Sequence, residues 1–117
     1  NKNQPLTIFG NGDQVRDYVF INDIVDFFDT AITKNIADNN IFNLGTGKST
    51  TIKELIEELS TIMDVKPTFD YQPERPGEIG NFVADSEKLE KIFSKIPSTS
   101  LNHGLMQTIS WIKENTS

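Results

Sequence analysis

The apolar residues of this chain follow two periods that take turns along the sequence, and that alternation constrains its fold more than any other feature. Short runs rich in β-branched and aromatic residues read as strands: Thr7-Ile8-Phe9, Val15 to Ile21, Ile41 to Leu44, Lys66 to Tyr71, and a last short one at Asn81 to Ala84. Between them run stripes at three-and-four spacing. Ile24, Phe27, Phe28, Ala31 and Ile32 predict a first helix reaching about Lys34, capped by Asn22 or Asp23. Ile52, Leu55, Ile56, Leu59, Ile62 and Met63 predict a second, opened by a Thr51/Glu54 capping box. Leu89, Ile92, Phe93 and Ile96 mark a third, capped by Asp85 or Ser86 and stopped by Pro97, and Leu105, Ile109 and Ile112 mark a last one from about Leu101 to Asn115. Gly10-Asn11-Gly12-Asp13 is a tight turn, and Pro73 to Gly80 is an ordered, irregular loop. Strands mixed with helices, without a long βαβ repeat, predict an α+β (irregular α/β) domain.

At 117 residues the chain has the size of one domain with a single core, and is small for a complete cofactor-dependent enzyme. No apolar run approaches the roughly 20 residues a membrane span requires, so no membrane partner is expected. A net charge of −6 opposes the phosphate-backbone attraction that nucleic-acid binders use, so nucleic acid is not an expected partner either. The absence of cysteine removes disulfides and thiolate nucleophiles and fits a reducing cytoplasm, and the one histidine, His103, cannot build a zinc site. No metal is expected. The chain starts at Asn1 with no initiator Met, signal core or transit stretch, and reads as a piece of a longer protein. Asn115-Thr116-Ser117 matches a glycosylation acceptor pattern that is common by chance.

Only two residues are arginine, Arg16 and Arg75, against nine lysines. A guanidinium gives two parallel hydrogen bonds to phosphate oxygens, so its use at two sites suggests geometric work on a diphosphate. The competing reading is a structural ion pair, Arg16 with Asp17 and Arg75 with Glu74 or Glu78. Gly45-Thr46-Gly47-Lys48-Ser49-Thr50 lies between a predicted strand and a helix, where amides attract anions. Its spacing denies a nucleotide-triphosphate loop, because Phe42 stands where that loop needs glycine, and Thr50 stands where the dinucleotide fingerprint needs its third. A tight strand-to-helix connection is the plainer reading. His103 reads as a surface or helix-start residue, Glu54, Glu57 and Glu58 as a solvated face, Phe27 and Phe28 as core, and Tyr18 as a packed strand residue.

Four motifs in order, Pro5 through Asp23, Phe42-Asn43-Leu44-Gly45-Thr46-Gly47, Arg75-Pro76-Gly77-Glu78 and Ala84-Asp85, cover nearly all of the chain. Together they resemble the C-terminal half of the extended short-chain dehydrogenase/reductases, the NAD-dependent epimerase/dehydratase family, with the UDP-glucose 4-epimerase group the nearest likeness. The resemblance implies that residues 1–117 form the nucleotide-sugar (substrate) binding domain, and that an NAD-binding Rossmann domain is absent from this chain. Thr7 and Phe9 match the strand along the uracil, Arg16 and Arg75 the two diphosphate arginines, and Glu78 a ribose-binding position usually held by aspartate. Phe20 stands where members often have His or Tyr, and Asn43 and Asp23 match positions read as structural, at a turn and a helix start.

The family's other half carries a Gly-rich cofactor loop and a Tyr-x-x-x-Lys pair that acts with NAD. Here the residues four beyond Tyr18 and Tyr71 are Asn22 and Arg75, so the resemblance places no catalytic and no cofactor-binding residue in this chain. It implies an inactive piece of a parent isomerase that oxidises a sugar to a keto intermediate and returns the hydride. A 4,6-dehydratase, or a stand-alone phosphometabolite-binding module, are the alternatives. Part of the first helix's apolar face near Phe27 and Phe28 is expected to lose its partner, favouring a homodimer or rearrangement in the isolated piece.

Overall fold

The computed structural model describes residues 4–116, so Ser117 of the acceptor triplet lies outside the described residues. In chain order the elements are β1 (Leu6–Phe9), β2 (Val15–Arg16), α1 (Ile21–Lys34), β3 (Thr50–Thr51), α2 (Ile52–Met63), β4 (Phe69–Gln72), β5 (Asn81–Phe82), α3 (Glu87–Phe93) and α4 (Leu101–Asn115). This is the predicted mixture of helices with short strands. The described elements fall into two compact units, one made of residues 4–16 with 49–82, the other of residues 17–48 with 83–116. No helix among the described residues is long and apolar enough to cross a membrane.

In the first unit β1 pairs in parallel with β4, Leu6 opposite Phe69 and Phe9 opposite Gln72. The alternation of a strand puts Ile8 inward, 5% exposed, and Thr7 and Phe9 together on the other face. The centre of a three-stranded sheet is β2, antiparallel to β3 and parallel to β5, with Arg16 opposite both Thr50 and Phe82. The capping box forms as its spacing requires: the Thr51 hydroxyl accepts from the N–H of Glu54, and the Glu54 carboxylate accepts from the N–H of Thr51 at 2.6 Å. Two more N–H groups of the first turn of α2, on Ile52 and Lys53, donate to the carbonyls of Gln14 and Gly12, so the β1–β2 turn closes over that helix end.

The second unit is helical, with α1, α3 and α4 and no strand among its described residues. Phe27, 4% exposed, meets Phe93 edge-on at 5.2 Å between ring centres, and Phe42 meets the same ring at 5.5 Å. Leu89 completes this core at 2%. Asp23 holds a distant segment instead of its own helix end: its carboxylate accepts from the N–H groups of Ser98 and Thr99 and from the Thr99 hydroxyl. Burial alone would raise the Asp23 carboxyl, but those hydrogen bonds, with Lys95 nearby, hold it below its ordinary range.

Several expectations are corrected. Ile41 to Leu44 is not a strand, and Ile41 is 88% exposed. An isolated extended segment has no ladder to join in a unit without strands. The second strand stops at Arg16 because its neighbours β3 and β5 are two residues long, and Tyr18 lies outside any strand. The first helix starts at Ile21, earlier than predicted, with Phe20 at its cap position and neither Asn22 nor Asp23 capping it. The third ends at Phe93, with Ser94 left-handed, because Pro97 has no N–H to offer the Phe93 carbonyl. Phe27 is core but Phe28 is not: Ile21, Val25, Phe28 and Ile32 form a second, uncovered stripe on α1, Phe28 being 63% exposed.

Candidate functional site

The site is built on the turn Arg75-Pro76-Gly77-Glu78. Proline pre-sets the second position and Gly77 adopts φ +79°, the left-handed value a type II turn demands at the third, while the N–H of Glu78 donates to the Arg75 carbonyl at 3.1 Å. Such a turn sets its first and fourth residues side by side. A cation and an anion therefore leave the same corner of the chain, as the sequence orders them.

Parallel pairing of β2 with β5 then brings Arg16 to that corner. Its Nη1 donates to the carbonyls of Val15 and Ile79, both at 2.8 Å, and its Nη2 donates to Glu78 Oε1 at 3.2 Å. The two backbone bonds fix the guanidinium plane, and Glu78 takes one of its remaining N–H groups. Arg75 sits over the Phe9 ring, its guanidinium carbon 3.9 Å from the ring centre, a cation–π contact. Thr7, Phe9, Gln14, Arg75 and Glu78 are among the residues lining one cavity of about 190 Å³.

Thus four of the five predicted binding residues, Thr7, Phe9, Arg75 and Glu78, border a common space, and the fifth, Arg16, reaches it through its bond to Glu78. The ion-pair reading is half right. Arg16 does pair with a carboxylate, but with Glu78 across the sheet and not with its neighbour Asp17. Gln14 was missed. Its Nε2 donates to the Phe9 carbonyl at 2.5 Å, and its Oε1 is the one buried side-chain polar atom lacking a partner among the described residues. Its place two residues before Arg16, on the same side of an extended chain, was the signal that could have found it.

The glycine loop after Leu44 is already occupied by an internal anion. The Asp17 carboxylate accepts from the N–H and hydroxyl of Thr46 at 3.0 and 2.5 Å, from the N–H of Gly47 at 2.9 Å and from the N–H of Ala84 at 3.3 Å. Burial by itself would raise this carboxyl, but the four donors outweigh it and hold it below its ordinary value of 3.8. A Cβ at Gly45 would stand 2.3 Å from that of Ala84 and 2.6 Å from Asp17 Oδ2, so only glycine fits there. The amides that could cradle a phosphate here are spent on structure, as the spacing argument anticipated. His103 sits in the first turn of α4, its N–H donating to the Ser100 hydroxyl and its Nε2 2.6 Å from Gln107 Nε2. Among the described residues no three His, Cys, Asp or Glu side chains gather to hold a metal ion.

Residues 1–108 match the family model described as GDP-mannose 4,6 dehydratase. A putative UDP-glucose 4-epimerase of Methanocaldococcus jannaschii is 32% identical over 114 residues, 97% of this chain and 36% of the relative. Among solved structures, a UDP-glucuronic acid 4-epimerase of Bacillus cereus in complex with UDP-glucuronic acid and NAD superposes with a TM-score of 0.85 at 31% identity, covering 96% of this chain and 36% of that one. A UDP-glucose 4-epimerase of Thermotoga maritima with UDP-glucose gives a TM-score of 0.79 at 30% identity, covering 98% of this chain and 37% of that one. This chain therefore spans little more than a third of the length of the proteins it matches.

Proposed function

We propose that this chain, which belongs to the GDP-mannose 4,6 dehydratase family, holds the nucleoside diphosphate of a nucleotide sugar on behalf of a longer NAD-dependent epimerase or dehydratase. The single observation that carries the reading is the meeting of Arg16, Arg75 and Glu78 at one turn beside the Thr7/Phe9 strand face. Two guanidiniums from separate loops suit a pyrophosphate bridge, each able to give it a paired set of charge-assisted bonds. Phe9 offers a flat apolar surface for a base, and Glu78 an acceptor for a ribose hydroxyl.

The sugar is a UDP-linked hexose or hexuronate and the reaction a 4-epimerisation, a reading supported by relatives named UDP-glucose and UDP-glucuronate 4-epimerases at 30% identity or more. Residues 1–117 act as the substrate-binding part, in the cytoplasm, and the Rossmann part of the parent holds NAD. The chain's own residues do not fit that cofactor: the Thr46 and Gly47 amides are turned onto Asp17, and no Tyr-x-x-x-Lys pair is present. No chemical step is therefore assigned to this chain, whose work is to bind and orient.

Calorimetric titration of UDP and UDP-glucose into the full-length parent tests the reading. Each charge-assisted bond contributes roughly 1.5–3 kcal/mol, so the double change Arg16→Ala/Arg75→Ala is expected to weaken binding by about a hundredfold or more. Unchanged affinity would remove the diphosphate assignment.

A further inference from the structure

Resting on the diphosphate assignment above, we propose that Glu78 is a resident counter-anion, which neutralises Arg16 and is displaced by the incoming diphosphate. The guanidinium does not depend on Glu78 for its position. Two backbone carbonyls hold Nη1 at 2.8 Å, whereas the carboxylate contact at Nη2 is the longest of the set at 3.2 Å and the one most readily exchanged. The Glu78 residue as a whole is exposed because its backbone stands on the turn, yet its side chain is only 27% exposed and the Arg16 side chain 28%. The pair is half-sheltered, so the charge on Arg16 is masked without being locked.

The size of the cavity points the same way. At about 190 Å³ it falls below the roughly 300 Å³ at which small-molecule sites begin, because Arg75 lies on Phe9 and Glu78 leans to Arg16. A ligand that enters meets Arg75 on Phe9 and Glu78 on Arg16. A diphosphate, with two or more negative charges spread over both groups, outcompetes a single carboxylate. A neutral sugar offers no charge to exchange for that carboxylate, and a monophosphate has one group where a diphosphate has two to divide between the arginines. Glu78 thereby competes with an incoming anion for Arg16, and once released from Arg16 its carboxylate is free to accept a hydrogen bond from a hydroxyl of the same ligand.

Inorganic pyrophosphate is the probe that separates this role from ribose binding, since it carries the charge and lacks the hydroxyls. In the full-length parent, Glu78→Gln keeps the shape and removes the competing charge. An exposed to half-exposed ion pair is worth about a two- to fivefold change in affinity, so pyrophosphate is expected to bind about that much tighter to Glu78→Gln, and inorganic phosphate to gain at least as much. Glu78→Asp, one methylene short of Arg16, is expected to tighten pyrophosphate as well, by less than Glu78→Gln. Equal or weaker pyrophosphate binding by both variants overturns the proposal. Arg16→Ala tells the two readings apart: if it leaves pyrophosphate affinity unchanged, the diphosphate assignment fails together with everything resting on it. If it weakens pyrophosphate while the Glu78 variants do not tighten it, only the counter-anion role is lost.

Discussion

Asp17 is the residue whose loss the structure prices most clearly, and Asp17→Asn is the sharpest test of how the glycine loop is held. Its carboxylate accepts four hydrogen bonds, from two donors on Thr46 and one each on Gly47 and Ala84. An asparagine can turn its NH₂ toward Thr46, whose hydroxyl rotates to accept, but the Thr46 N–H then faces another donor. Thr46 is 7% exposed, so water does not replace that bond. One stranded buried donor costs about 1–3 kcal/mol, and the remaining bonds lose their charge assistance. Asp17→Asn is therefore expected to cost about 2–3 kcal/mol, and Asp17→Ala, which strands the half-buried Ala84 amide as well, about 3–4 kcal/mol.

Urea unfolding followed by circular dichroism reads the loss as a shift in midpoint, and hydrogen exchange at the Thr46 and Ala84 amides reads it locally. The pH dependence has a definite sign. A carboxyl whose pKa is lowered on folding contributes stability that is fully present above its unfolded value near 3.8 and is lost as pH falls through the folded value below that. The gap between wild type and Asp17→Asn should therefore be constant above about pH 5 and narrow below pH 4. A gap under about 0.5 kcal/mol at neutral pH, the range of ordinary surface changes, would refute the account of this latch.

Two further predictions concern the turn and the first helix. Gly77→Ala meets no atom within 4 Å, so its cost is the left-handed backbone alone, about 1–2 kcal/mol; because the turn sets Arg75 beside Glu78, UDP affinity in the parent should fall while the helical unit keeps its unfolding midpoint. Phe27→Ala should cost about 3–5 kcal/mol by urea unfolding and Phe28→Ala under about 0.5 kcal/mol, since the first packs on Phe93 and the second is 63% exposed. The uncovered stripe of Ile21, Val25, Phe28 and Ile32 should make the 117-residue chain associate with rising concentration in sedimentation, an effect Phe28→Glu should reduce.

What the sequence disclosed tracks how local each interaction is. The α2 helix was legible to the residue because its capping box and its stripe lie within twelve positions of each other. The turn at Arg75 was legible for the same reason, since proline and glycine fix its two central residues whatever surrounds it. The Ile41 to Leu44 segment was misread because a strand is a property of two chains of backbone, and β-branched composition cannot supply the second. Phe28 does not join the core its spacing suggested and lies instead on the part of the first helix's apolar face that was expected to lack a partner, because three-and-four spacing marks a wide apolar arc without saying how much of it is covered. Asp23 was placed at a helix start by proximity, whereas its actual partners stand about seventy-five positions further along.

The candidate site shows the same division at closer range. Two arginines could be proposed as anchors from their scarcity, but the identity of the anion beside Arg16 could not be read, because Asp17 is adjacent in sequence and Glu78 only across a ladder of two residues. The distinction matters for function. An arginine paired with its neighbour would be tied to its own strand, whereas one paired with the far end of the turn that carries the second arginine shares a carboxylate with the other anchor proposed here. On that proposal a ligand that draws Glu78 from Arg16 also changes the charge beside Arg75, because both proposed anchors share this one carboxylate. For that reason the effects of Arg16→Ala and Arg75→Ala on diphosphate affinity should be non-additive, by the 0.5–3 kcal/mol typical of groups in one network, and strict additivity in a double-mutant cycle would show the two anchors to be independent.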